Sequence, residues 1–257
     1  MSEASHHAIV FGPFQSASLG SCLGINIAPA RRTKETEGSV FDKIAPDAGE
    51  PIISMRRKMP TPGVIVTSAA RRIIELSKAG EKYESLVVTG NFEPTDHPEL
   101  GEVVENVRQL RDKWLGKSAL CLVSRDLDPS RPHLRHHLGM FDKPIVRFEW
   151  GTAKAFATDT KRPSSDLKAL VDVLTGLDKL ILQASFSDGK TGNASPTEVK
   201  NWIKKVGEIR PREVHLLGAE GKGVKPLPAA KLEKIAAELV ETTGVPAHVF
   251  AAEAVPA

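Results

Sequence analysis

The sequence predicts an α/β fold built on parallel strands, and three observations carry the prediction. From Tyr83 onward, apolar runs rich in β-branched residues alternate with helical patterns. The alternation repeats at roughly thirty residues, the length of a strand, a helix and their connections. The strand runs are short and apolar throughout, which suits strands covered on both faces. At 257 residues the chain falls within the range of one large α/β domain, so residues 1–257 are expected to form a single domain with an irregular segment at 29–62.

The first strand is expected at Leu23 to Ala28, after turns at Gly12-Pro13 and Leu19-Gly20. Pro29 to Pro62 is polar, charged and punctuated by proline; it has no period and receives no regular element. Val64 to Ala79 resumes as a helix. Strands follow at Ser85–Thr89, Ala119–Ser124, Ile145–Trp150, Leu180–Ser185, Glu213–Leu217 and Ala247–Ala251. Pro98 to Trp114 is a helix whose apolar face is Leu100, Val103, Val104, Val107, Leu110 and Leu115. Ser195 is a natural N-cap with Pro196 in the first turn and Glu198 placed to complete a capping box. Pro228 to Thr243 closes on Gly244 as its C-terminal cap. Periodicity leaves open whether the sheet is doubly wound or curved as in a barrel. In both, ligand sites gather at the C-terminal ends of the strands.

Composition narrows the class. With 40% hydrophobic and 26% charged residues the chain reads as soluble and globular, and no run approaches the length of a membrane-spanning helix, so no membrane partner is expected. Met1 to His7 lacks the basic and apolar segments of a secretory signal, and the expected location is the cytoplasm. The formal charge is +3, with basic runs at Arg31-Arg32, Arg56-Arg57-Lys58 and Arg71-Arg72. Such runs fit either a solvated face, their commoner use, or a patch facing the phosphates of a nucleic acid. The two cysteines, Cys22 and Cys121, are flanked by apolar residues and read as small buried hydrophobes.

After the second predicted strand stand Gly90 to Pro98, part of the longer segment Leu86 to Leu100, LVVTGNFEPTDHPEL. This segment resembles the strand-end motif of the radical-SAM enzymes, a Gly-Gly-Glu-Pro type sequence followed by His-Pro. Gly90, Glu93 and Pro94 match; Phe92 stands where glycine is usual. The likeness extends to Phe11-Gly12-Pro13 and Leu19 to Asn26 near the start. It continues through Arg162-Pro163, Gln183, Asn193 and Pro211 to Val214 in the same order. The resemblance implies a partial (β/α)6-type TIM-like barrel with parallel strands. It also implies S-adenosylmethionine as the ligand of the strand ends, met by Gly90, Asn91, Glu93, Pro94, Thr95, Ser124, Glu149 and Gln183.

The departure from that family is equally plain. Its cluster loop carries three cysteines, because three thiolates hold three irons of a [4Fe–4S] cluster and leave the fourth for the cofactor. Between Cys22 and Cys121 this chain has none, and residues 30–49 offer Arg, Lys, Glu, Asp and Thr instead. The strand ends Ser124-Arg125 and Arg147 to Gly151 differ from the family pattern as well. The expectation is a pseudoenzyme without an iron–sulfur cluster that binds a small molecule, a nucleic acid or a protein partner. The alternative is an enzyme that uses S-adenosylmethionine or another nucleotide without a cluster.

Four further signals carry a bland reading beside a sharp one. Gly189-Lys190-Thr191 resembles the end of a phosphate loop, but the first glycine of that motif would fall at Ala184, and Gly192-Asn193 interrupts the helix start. His133, His136 and His137 have the spacing of a metal-binding helical face, or of a solvated basic one. Glu93 and Glu149 both follow strands and suit either acid–base work at one rim or plain structural duty, Glu93 as a loop cap and Glu149 paired with Arg147 or Arg162. Gly218, Gly221 and Gly223 make a loop after the sixth strand that serves as a connection or cradles phosphate.

Overall fold

A computed structural model describes residues 9–28, 59–189, 192–219 and 224–250. The chain divides into two compact units, one of residues 1–124 and 140–143, the other of 125–139 and 144–257.

In the first unit, β1 (Val10–Ser16) runs antiparallel to β2 (Gly20–Ala28). β3 (Ser85–Gly90) and β4 (Ala119–Ser124) then add in parallel and in chain order. Residues Cys22 to Ala28 of β2 are all buried, as befits a central strand covered on both faces. α1 (Pro62–Lys78) starts with Thr61 in extended conformation and Pro62 in the first turn, where a missing N–H costs nothing. It buries Ile65, Ala69, Ile73 and Leu76 and packs against α2 (Leu100–Trp114), which buries Leu100, Val103, Val104 and Val107. Arg111 of α2 ties the start of β4 in place: its guanidinium donates to Ser118 O at 2.8 Å and to Asp142 Oδ2 at 2.6 Å. Asp142 in turn exchanges hydrogen bonds with the backbone of Leu120.

β1 lies outside the sequence expectation, which read Gly12-Pro13 as a turn. The pairing skips from Phe11 to Phe14, and the irregularity keeps Gly12, with φ of 100°, and Pro13 inside an edge strand. Proline lacks the ladder donor and is tolerated at such a place.

In the second unit, β5 (Lys143–Arg147, its first residue belonging to the first unit), β6 (Ile181–Asp188), β7 (Glu213–Gly218) and β9 (Ala247–Phe250) are parallel neighbours. The two-residue β8 (Lys225–Pro226) pairs antiparallel with β6. The helices are α3 (Leu134–Gly139), α4 (Ala153–Thr160), α5 (Asp166–Leu174), α6 (Pro196–Ile209) and α7 (Ala229–Thr243). Gly244 takes the left-handed conformation after α7, as expected of a C-terminal cap. Each unit is therefore α/β with its parallel strands laid down in chain order, the arrangement that a partial TIM-like barrel uses.

Two local expectations change. The strand expected at Ile145–Trp150 ends at Arg147. Phe148 still donates its N–H to Gln183 O, but its own carbonyl accepts from the indole of buried Trp202 at 2.8 Å, and Trp150 packs edge-on against Phe148 and Phe156. At α6, Ser195 caps the helix by accepting from the Glu198 N–H, whereas the Glu198 carboxylate turns elsewhere. It accepts from Gly151 N, Thr152 N and the Thr152 hydroxyl at 3.0, 3.1 and 2.6 Å, holding the turn that opens α4. A carboxylate there also meets the positive end of the α4 dipole. Among the described residues, no helix is long and apolar enough to cross a membrane.

Candidate functional site

In the first unit the ends of β2, β3 and β4 carry one polar cluster. β3 ends at Gly90, where a Cβ would lie 2.6 Å from both Ala28 Cβ and Phe92 O, so only glycine lets the chain turn beside β2. Phe92 donates its N–H to Ala28 O at 3.2 Å. Asn26, fully buried on β2, donates from its amide to Asn91 Oδ1 at 2.7 Å and accepts from Ala28 N at 3.2 Å. Glu93 then opens a 3-10 turn over Pro94–Asp96.

Glu93 Oε1 accepts from Thr95 N at 3.1 Å, from the Thr95 hydroxyl at 2.7 Å and from the Ser124 hydroxyl at 2.9 Å. The residues matched by Gly90, Asn91, Glu93, Pro94, Thr95 and Ser124 are thus neighbours in space. Glu93 caps its own loop, the structural role weighed for it in the sequence. Phe92 points outward, 42% exposed, at the tip.

His97 closes the segment. It is buried, with Nδ1 accepting from Glu99 N at 3.1 Å and Nε2 at 2.9 Å from Pro60 O. Accepting at Nδ1 leaves the proton on Nε2, which donates to the Pro60 carbonyl.

In the second unit the polar cluster forms after β5. Arg147 contacts Glu149 Oε1 and reaches Asp159 Oδ2 at 2.7 Å, with its guanidinium 5.1 Å from the Trp150 ring. The Trp150 indole donates to the same Asp159 oxygen at 3.0 Å. Burial works against the Arg147 charge, but Glu149 and Asp159 outweigh it and hold the guanidinium above its ordinary range. Glu149 Oε2 accepts from Ser185 N at 3.0 Å. Arg147 is therefore the partner of Glu149; Arg162 instead donates to the carbonyls of Asp126 and Leu127.

Gln183, on β6, lies in register with Arg147 on one side and His215 on the other, and His215 with His248 of β9. One rung across four parallel strands is thus polar. Its neighbours in sequence, Val146, Leu182 and Val214, face the other side and are fully buried. Asn193 completes the β6 end, bridging Ser185 O and Ser187 N at 2.9 and 3.0 Å.

Glu93 belongs to the first unit and Glu149 to the second, and each is engaged within its own surroundings. Asp159 carries no signal in the sequence, and the contacts of Asn26, His97 and Glu198 stay hidden there because Asn91, Pro60, Gly151 and Thr152 lie far away in the chain. His133, His136 and His137 cluster on and beside α3 with ring centroids 5.9 and 6.3 Å apart. Burial, His136 and His133 together hold His137 below the usual histidine range. Among the described residues no group of three His, Cys, Asp or Glu is placed to hold a metal ion. Lys190, Thr191, Gly221, Gly223 and segment 29–58 lie outside the described residues.

No protein-family model matches the chain. No curated protein matches it either. Among solved structures, it is similar to a domain of a pyruvate-formate lyase-activating enzyme from Bacteroides vulgatus ATCC 8482. The match has 13% sequence identity and a TM-score of 0.49, and it covers 62% of this chain and 94% of that one. A likeness of this degree carries no inference about the chemistry of this chain.

Proposed function

We propose that this protein is a radical-SAM-like chain that has lost the ligands of the [4Fe–4S] cluster and serves as a non-catalytic binding or scaffold protein. The observation that carries the proposal is the state of its cysteines. The sequence has two, Cys22 and Cys121, and both are fully buried, one on β2 and one on β4. Burial pushes the Cys121 thiol up to about 11, so it stays neutral where a cluster requires thiolates. Three thiolates are needed to hold three irons, and this donor set does not fit that group.

The strand-end loop supports the same reading. Glu93 Oε1, at the position the resemblance assigns to ligand binding, already accepts three hydrogen bonds from Thr95 and Ser124. A ligand of the first unit would meet Gly90, Asn91, Glu93, Pro94, Thr95 and Ser124, and a ligand of the second unit would meet Glu149 and Gln183. These residues would bind and orient a ligand.

The test is anaerobic reconstitution of the full chain with iron and sulfide, followed by iron and sulfide counting, a cleavage assay and calorimetry with S-adenosylmethionine. The expected outcome is no stoichiometric cluster and no cleavage of S-adenosylmethionine. One cluster per chain with cleavage would overturn the proposal. Tight S-adenosylmethionine binding with turnover, yet without iron, would establish the alternative of a cluster-free enzyme.

A further inference from the structure

His97 spends every polar group it has on joining three pieces of the first unit. Its backbone N–H donates to Pro94 O at 3.1 Å, closing the 3-10 turn that Glu93 opens. Its carbonyl accepts from Leu100 N at 3.1 Å, at the start of α2. Its Nδ1 accepts from Glu99 N, and its Nε2 donates to Pro60 O, two residues ahead of α1. The N-cap of α1, Thr61, makes no side-chain capping bond, and the Pro60 carbonyl bond ties the residue just ahead of it to His97. The residue is 3% exposed, and water does not compete for these bonds.

We infer that His97 is a positioning residue that couples the start of α1 to the Glu93 turn, so that displacing Met59–Thr61 changes the loop Gly90–Thr95 and the reverse. Its importance rests on the reading of that loop as the binding loop. The path is short: two hydrogen bonds joined through the covalent frame of one residue. Movement of the Pro60 carbonyl pulls the imidazole. The imidazole is carried by the residue whose N–H closes the turn, and the same turn sets Thr95 against Glu93. Coupling of this kind is reciprocal, so whatever occupies the loop also biases the start of α1.

Two substitutions separate the ring bonds. His97→Gln places an amide N–H where Nε2 stands and keeps the bond to Pro60 O. His97→Asn places an oxygen where Nδ1 stands and keeps only the bond from Glu99 N. Amide hydrogen exchange on the full chain, without ligand, reads the result. His97→Asn is expected to speed exchange about fivefold to tenfold at Val64 and Ile65, whose N–H groups close the first turn of α1, and at Thr95 and Asp96. His97→Gln is expected to hold all four near the wild-type rates.

Unchanged rates at Val64 and Ile65 in His97→Asn would overturn the coupling. So would a change there with none at Thr95 and Asp96, or identical behaviour of the two variants. Because the measurement uses no ligand, its failure leaves the binding reading standing, and failed S-adenosylmethionine titration leaves the coupling standing.

Discussion

Ser124, the last residue of β4, donates its hydroxyl to Glu93 Oε1 at 2.9 Å and so joins the end of one strand to the turn that follows its neighbour. Ser124 is 1% exposed, and its alanine variant leaves the carboxylate one donor short. Ser124→Ala is expected to cost about 1.5–3 kcal/mol in urea unfolding, as befits a hydrogen bond to a charged group. In the double variant with Glu93→Ala the two costs should fall short of additivity by about 1 kcal/mol.

Arg147 is shared by two carboxylates of unequal burial. The Glu149 side chain is 10% exposed and that of Asp159 45%. Glu149→Ala removes the more buried partner and the acceptor for Ser185 N, and is expected to cost about 2–4 kcal/mol. Asp159→Ala should cost about 1 kcal/mol, because water reaches that side of the guanidinium. Equal losses in chemical denaturation would mean that Glu149 is no more deeply engaged than Asp159.

The Cys121 thiol has a pH signature. Its ordinary value near 9.0 is raised to about 11, first by burial, so the folded state holds the proton more tightly than the unfolded chain. The stability this provides is fully present below pH 9 and is lost as pH rises from about 9 through about 11. Across that window wild type should lose stability faster than Cys121→Ala. At pH 8 neither Cys121 nor Cys22 should react with a thiol reagent until the protein is unfolded, when two equivalents appear.

Glu198 offers a charge-dependent contact between α6 and the turn before α4. Glu198→Ala strands two backbone N–H groups and one hydroxyl, and is expected to destabilise by about 2 kcal/mol. Glu198→Gln keeps one oxygen and should recover roughly half of that. Exchange of the Gly151 and Thr152 amides should follow the same order across the variants.

Most of the element order was legible because it depends on local pattern. The helices at Val64, Pro98, Pro196 and Pro228 were marked by apolar period and by caps, and strands Ala119–Ser124 and Glu213–Leu217 by short apolar runs. What pattern could not supply was anything decided by a partner far along the chain. β1 hides behind Gly12-Pro13 because its pairing with β2 absorbs the irregularity. β5 stops at Arg147 because Trp202, distant in sequence, captures the Phe148 carbonyl. Glu198 looked like half of a capping box because spacing cannot show that Thr152 competes for its carboxylate. At the candidate site, Glu93, Thr95 and Ser124 were named from the motif. Their mutual hydrogen bonding, and the part of Asn26 and His97, needed the fold.

Gly90 and Phe92 differ in how freely mutation can change them. A side chain at 90 would meet Ala28 and the Phe92 carbonyl at 2.6 Å, while the Phe92 side chain stands in solvent. The loop therefore has one frozen position and one free one, two residues apart. A library randomised at both should keep glycine at 90 among all folded clones and return nearly any residue at 92. The tip of this loop is the place where the chain can acquire new specificity without disturbing the strands that carry it.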